Sequence, residues 1–312
     1  METRDWSLVF FTVLSQAAVG AFLTLQVLRY VGPRPRARAA DEGLPLLSVL
    51  AVLSAGLFVA LFHLATPLQA ARAVVNFPTS WLSREIVFGS LFAALLGALV
   101  WRERRERAAL PTAWLPALTA AAGLAFLYSQ IAIYVLPAQP AWNSFATPAA
   151  FGGTALRLGI LGVAAGLVVR TLFGGVDDSG GDAPASRART SATFRRLVLA
   201  GIAALAVEFL VVPLHVASLA ADPLPAAAAS LQRLTGDYGS ILFVRLGLLG
   251  AAAAALVGVL LAVRGSARLS GQSGHPPFRL ASVLTCGAFG LVLASEVCGR
   301  FLFYAMRVRV GI

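Results

Sequence analysis

Lysine is absent from the 312-residue chain, so all 25 basic side chains are arginines. Charge of either sign is scarce: 12% of residues are charged against 58% hydrophobic, and mean hydropathy is +0.80. That balance excludes a soluble globular domain and indicates a polytopic membrane protein. A net charge of +11 would fit a nucleic-acid partner. The arginines, however, crowd into short links between apolar runs, which is the pattern of topology signals and not of a groove-binding face. Cysteine is limited to Cys286 and Cys298, both in the last apolar run. Two cysteines make neither a disulfide framework nor a metal site, and cannot hold a four-cysteine iron–sulfur cluster. The N-terminal METRDWSLVF lacks a basic region or twin arginine, and its apolar run is too long for a signal peptide, so a mature span is expected there.

What is present is a series of eight apolar runs, each able to cross a hydrocarbon core that needs roughly 20 residues per helix. They cover 6–30, 44–66, 81–101, 112–135, 148–173, 194–218, 238–263 and 278–305. The fold class expected is all-α, an eight-helix transmembrane bundle forming a single integral membrane domain over 1–312. Alanine and glycine abundance suits close helix packing in a solvent without hydrophobic drive. No internal repeat is evident. The longest polar link, 174–193, is rich in Gly, Ser and Asp and reads as a flexible cytoplasmic loop.

Arginine counts give the orientation. Arg34, Arg36 and Arg38 lie in the first link, Arg102, Arg104, Arg105 and Arg107 in the third, Arg187, Arg189, Arg195 and Arg196 in the fifth, and Arg264, Arg268 and Arg279 in the seventh. The even links are sparse in basic residues, so the odd links face the cytoplasm and both termini face outward. Trp6, Trp81 and Trp142 fall at outer ends and Trp101 and Trp114 at inner ones, as interfacial anchors do.

With that orientation the polar residues within spans fall in the outer half. His63 closes span 2 and Glu85 opens span 3, joined by the link 67–80 that carries Arg72. Gln130 and Tyr134 share a face of span 4, and His215 ends span 6. On the order of 12–15 Å below the outer surface, at about 1.5 Å of rise per residue, lie Arg157, Glu208, Arg245, Glu296 and Arg300. Three arginines and two glutamates at one depth are expected to neutralise one another across helices, since a lone charge costs at least about 2.5 kcal/mol there. Glu296, Arg300 and Tyr304 make an i, i+4, i+8 stripe; Tyr238 and Arg245, and Glu208 and His215, are each seven apart, so these faces should point inward. A structural ion-pair network explains the arginines as well as a binding site does. For His63 the structural alternative is a helix-end histidine bonding terminal carbonyls. For Gln16 it is an interhelical hydrogen bond. His275, in a cytoplasmic loop, reads as exposed.

A histidine, carboxylates and tyrosines near one membrane surface suit a quinol, whose two hydroxyls need hydrogen-bond partners and proton acceptors on oxidation. A transporter would place such groups nearer the midplane and show repeats. A haem-b quinol subunit is the redox alternative, with His63 and His215 as axial ligands. A membrane transporter or purely structural anchor is the alternative of another class.

The segments LVFFTVLSQAAVG, LFHLATP, LSREIVFGS, AWNSFATP, DYGSILFVR and EVCGRFLFY resemble, in order and spacing, the membrane-anchor subunit of dimethyl sulfoxide reductase and its relatives. The resemblance spans nearly the whole sequence, although no single segment is diagnostic. It implies an integral subunit of the bacterial or archaeal plasma membrane that oxidises menaquinol. Electrons would pass to a four-cluster iron–sulfur subunit and on to a molybdopterin catalytic subunit, both on the periplasmic side. It places the family's quinol-site histidine on His63 and its acidic residue on Glu85, and brings in Asp237, Tyr238, Arg245, Glu296 and Arg300 as weaker candidates. Gln16, Arg72, Tyr134, Glu208 and His215 complete the expected quinol-binding set on depth, spacing and link position. The expected mechanism has His63 accept a hydroxyl's hydrogen bond and then its proton, while Glu85 relays protons to the outer water. The outer links 67–80 and PAQPAWNSFATP are the expected docking surface.

Overall fold

In hydrocarbon each backbone N–H and C=O must be bonded within its own segment, and for a long apolar run the helix does this. The computed structural model describes residues 3–31, 43–62, 75–105, 114–173, 183–268 and 276–311, and no strand occurs among them. Its helices are α1 (Thr3–Val31), α2 (Gly43–Ala60), α3 (Trp81–Arg104), α4 (Trp114–Tyr134), α5 (Ala146–Phe173), α6 (Ala183–Ala221), α7 (Pro225–Gln232), α8 (Gly239–Arg268) and α9 (Pro276–Ala305). Seven are long and apolar enough to cross a bilayer and α2 is a shorter apolar eighth, so the protein is the expected polytopic bundle. Its exterior is apolar, with Phe243, Val283 and Leu210 among the large side chains turned outward.

Four features depart from expectation. Helix α2 stops at Ala60, and Leu61 and Phe62 donate back three residues to Phe58 and Val59, a tightened final turn. Helix α6 continues past His215 to Ala221, carrying Pro213 inside it. A membrane helix tolerates that proline because neighbouring helices and local adjustments re-satisfy the freed carbonyl. The second half of the 174–193 link is helical from Ala183, because alanine and arginine are strong helix formers despite the segment's polarity; residues 174–182 lie outside the described residues. The sixth link folds into α7, with proline in its first turn, followed by a π-helical turn over Arg233–Asp237.

The bundle has two halves. Helices α1 to α4 enclose Phe22, Leu53, Phe92, Leu96 and Phe126. Helices α5, α6, α8 and α9 enclose Leu161, Val198, Leu249, Leu256 and Val292. The seam between them is held where backbones touch: a Cβ on Gly20 would lie 1.7 Å from the Ala155 carbonyl oxygen, and one on Gly159 would lie 2.2 Å from the Gly20 carbonyl carbon. No side chain fits at either position, and the absence lets α1 and α5 approach closely.

At one end, the Trp6 ring near the start of α1 lies 5.5 Å from Phe301 near the end of α9, so the described termini share that end. Trp142 is also there but is not a lipid-facing anchor as expected. It is buried, stacks on Phe303 at 5.1 Å, and donates from Nε1 to the Phe303 carbonyl at 2.7 Å. Fully bonding an indole N–H inside a polar-capped cluster outweighs the interfacial preference.

Candidate functional site

Glu85 is placed by the start of α3. Ser80 caps that helix by accepting from the Ser83 amide at 3.3 Å. Glu85 then falls on the buried face with Ser83, Gly89 and Phe92. Gly89 lets the Phe126 ring of α4 close on α3, since a Cβ there would lie 2.9 Å from the ring. This brings α4 against α3 and sets the Gln130 carboxamide beside the Glu85 carboxyl.

From Gln130 a continuous series of buried bonds crosses the seam. The Gln130 Nε2 donates to Ser15 Oγ at 2.9 Å, and Gln16 Nε2 donates to Gln130 Oε1 at 3.0 Å. Arg300 Nη2 donates to Gln16 Oε1 at 2.7 Å and to Thr154 Oγ1 at 3.3 Å. The Thr154 hydroxyl donates to Glu296 Oε2 at 2.6 Å, and Arg157 Nε to Glu296 Oε1 at 2.6 Å. Arg157 Nη1 meets Glu208 Oε2 at 2.7 Å, and Arg245 Nη2 bonds Glu208 Oε1. The network thus joins α4, α1, α9, α5, α6 and α8, with Glu85 of α3 beside its Gln130 end.

The expected mutual neutralisation holds for Arg157 and Arg245 but not for Arg300. No carboxylate lies within ion-pair distance of Arg300 among the described residues; its guanidinium instead lies 3.7 Å from the centroid of Phe151. Two glycines give the other guanidiniums room. A Cβ on Gly153 would lie 2.6 Å from Arg157 Nη1, and one on Gly299 would lie 2.6 Å from Arg245 Nε.

Beside this network Tyr134 and Tyr304 share a hydrogen bond of 3.0 Å between hydroxyls. Trp142, Phe151 and Phe303 pack around the Tyr134 ring. His215 is buried, with no hydrogen-bond partner on either ring nitrogen. It borders a cavity of about 60 Å³ that Thr147, Glu208, Arg245, Glu296 and Arg300 also line.

Of the expected site residues, the structure therefore joins Gln16, Glu208, Arg245, Glu296 and Arg300 in one network, with Glu85, Tyr134 and His215 beside it. Tyr238 lies apart, its ring 5.5 Å from Phe301, and Asp237 is exposed. His63, Arg72 and His275 lie outside the described residues. Thr154, Ser15 and Phe151 were missed. Thr154 had a signal, since it precedes Arg157 by three residues and so shares its helix face; Ser15 and Phe151 had none. No group of three or more His, Cys, Asp or Glu side chains able to hold a metal ion occurs among the described residues.

Chemically, the middle of the network does not carry protons, because carboxamides and guanidiniums do not release them near neutral pH. It orients and neutralises. Groups outside the ion pairs that are chemically able to exchange a proton, Glu85, Tyr134 and Tyr304, sit at its margin.

Residues 1–306 match the family described as DMSO reductase anchor subunit (DmsC). The sequence is similar to the C subunit of the anaerobic dimethyl sulfoxide reductase of Escherichia coli, at 28% identity over 312 residues, covering 99% of this protein and 96% of that one. The Haemophilus influenzae C subunit of the anaerobic dimethyl sulfoxide reductase is 30% identical over 162 residues, covering 49% of this protein and 57% of that one. The E. coli anaerobic dimethyl sulfoxide reductase subunit YnfH is 27% identical over 313 residues, covering 99% and 96%.

Proposed function

Because the chain belongs to the DMSO reductase anchor subunit family, we propose that it is the quinol-oxidising anchor of a dimethyl sulfoxide reductase-like respiratory complex. It takes electrons from menaquinol and passes them to an iron–sulfur subunit, and through it to a molybdopterin catalytic subunit. The observation that carries this reading is Glu85. A buried carboxyl, beside the Gln130 carboxamide and close to paired phenols, is a poor feature for a passive anchor and a suitable one for receiving a hydroxyl's proton.

The quinol docks outside the 60 Å³ cavity, which is too small for its ring system. The face between α3 and α4 suits it better. There Phe77 packs on Phe88 at 5.6 Å and Trp81 on Tyr128 at 5.4 Å, forming an aromatic surface one helical turn from Glu85. Arg84 pins the segment before α3 by donating to the Phe77 carbonyl at 3.0 Å and the Pro78 carbonyl at 2.6 Å. In this reading His63, contributed by the preceding segment, accepts from one quinol hydroxyl, and Glu85 passes protons to water at the same end.

Arginine-rich links at the opposite end support an outward-facing termini end. The partner subunits then dock outside, over the links 67–80 and 137–148, of which 67–74 lie outside the described residues. Protons and electrons leave on one side, so the step builds no membrane potential.

A titration of membranes with a fluorescent quinol-site inhibitor tests the reading, comparing wild type with His63→Ala and Glu85→Gln at matched expression. Saturable quenching that is lost in His63→Ala and weakened in Glu85→Gln is the expected result. Equal quenching in all three moves the site elsewhere, and none in any leaves an anchor without a quinol site.

A further inference from the structure

Arg300 presents a charge problem that the network does not solve. Its side chain is buried, only Nη2 is hydrogen-bonded, and Nε and Nη1 have no partner. Within the cluster Arg157, Arg245 and Arg300 face two carboxylates. Both carboxylates are already ion-paired, Glu208 with Arg157 and Arg245 and Glu296 with Arg157, although Glu208 Oε2 accepts no hydrogen bond. One positive charge is left over in a low-dielectric interior, where an uncompensated ion is strongly disfavoured. Glu85 stands two carboxamides away, beyond Gln16 and Gln130.

The cavity beside Arg300 supplies a place for the missing charge. Three basic side chains line it, and Nε and Nη1 of Arg300, Nε of Arg245 and both ring nitrogens of His215, which is 8% exposed, have no hydrogen-bond partner; among the lining carboxylates the one unpartnered oxygen is Glu208 Oε2, which already faces Arg157. At about 60 Å³ it has room for a single small ion with water, which needs about 10–15 Å³ per molecule, and not for an organic ligand. Unpartnered guanidinium donors, excess positive charge and a matching volume coincide at one point. We infer that this cavity is a binding site for a small monovalent anion of halide size, held by Arg300, His215 and Arg245. The ion completes the charge balance that keeps α5, α6, α8 and α9 together, and the inference does not depend on where quinol docks.

The test melts the full-length protein, purified in detergent, in sodium chloride, sodium bromide or sodium gluconate at equal ionic strength. Gluconate is too large for the cavity. Chloride and bromide should raise Tm by about 2–4 °C in a saturable way over gluconate. Crystals grown in bromide should show its anomalous signal within hydrogen-bond distance of Arg300. The same Tm in all three salts, or a cavity without bromide, overturns the site and leaves it a water pocket. Arg300→Gln should abolish the salt difference; if it does not fold, His215→Leu makes the same comparison. A folded variant that keeps the full difference also overturns the assignment.

Discussion

Arg157 of α5 and Glu296 of α9 meet at 2.6 Å, Nε to Oε1, with side chains 2% and 3% exposed. The same guanidinium reaches Glu208 of α6 at 2.7 Å, so one residue clamps three helices.

Replacing it therefore leaves Glu296 without an ion-pair partner and Glu208 with Arg245 alone. Arg157→Met is expected to destabilise the bundle by about 3–5 kcal/mol. Arg196→Met, at an exposed position on α6, should stay within about 0.5 kcal/mol. Thermal unfolding of the two purified variants makes the comparison.

The seam gives a contrast between glycines. Gly20→Ala drives a Cβ into the Ala155 backbone, which no rotamer can relieve, and should cost at least about 3 kcal/mol or prevent folding. Gly250→Ala meets nothing within 4 Å and should gain about 0.5–1 kcal/mol from helix propensity. Yield of monodisperse protein and Tm distinguish them.

Arg84 holds the segment that leads into α3 through two carbonyl bonds, and its guanidinium sits 4.1 Å over the Trp81 ring. In Arg84→Leu, amide exchange at Thr79 and Ser80, both bonded to the Asn76 carbonyl, should rise about 10-fold. Exchange within α3 beyond Gly89 should not change.

Sidedness can be read by labelling. In a background with Cys286→Ser and Cys298→Ser, Asn143→Cys should react with a membrane-impermeant maleimide on intact cells. Arg196→Cys should react only after permeabilisation. The reverse pattern would place the docking face on the cytoplasmic side.

Helix number and the depth of the polar residues were legible in the sequence, because each depends on local composition and on a fixed rise per residue. Gln16, Glu208, Arg245 and Glu296 were found in this way, since a charged or amide group within a long apolar run has few alternatives to an interior face. Pairing was not legible. That Arg300 would bond Gln16 and Thr154 instead of a glutamate depends on the rotation of four helices about their axes, which a hydrophobic period specifies poorly when every face is apolar. Trp142 misled for the opposite reason: its position at a span end is the same for a lipid-facing anchor and for a buried one. The polar start of α6 misled because solvated helix and loop share a composition.

The contact between Gly20 and Gly159 also sets an order of events during synthesis. Helix α1 enters the bilayer about 140 residues before its partner surface on α5 exists, a wait of roughly 7–30 s at ~5–20 residues per second. Gln16 waits longer still, until Arg300 on α9 arrives. Nascent α1 and α5 therefore present amide and guanidinium groups to lipid without their native partners, and the insertion machinery must shelter them until the last helix is made.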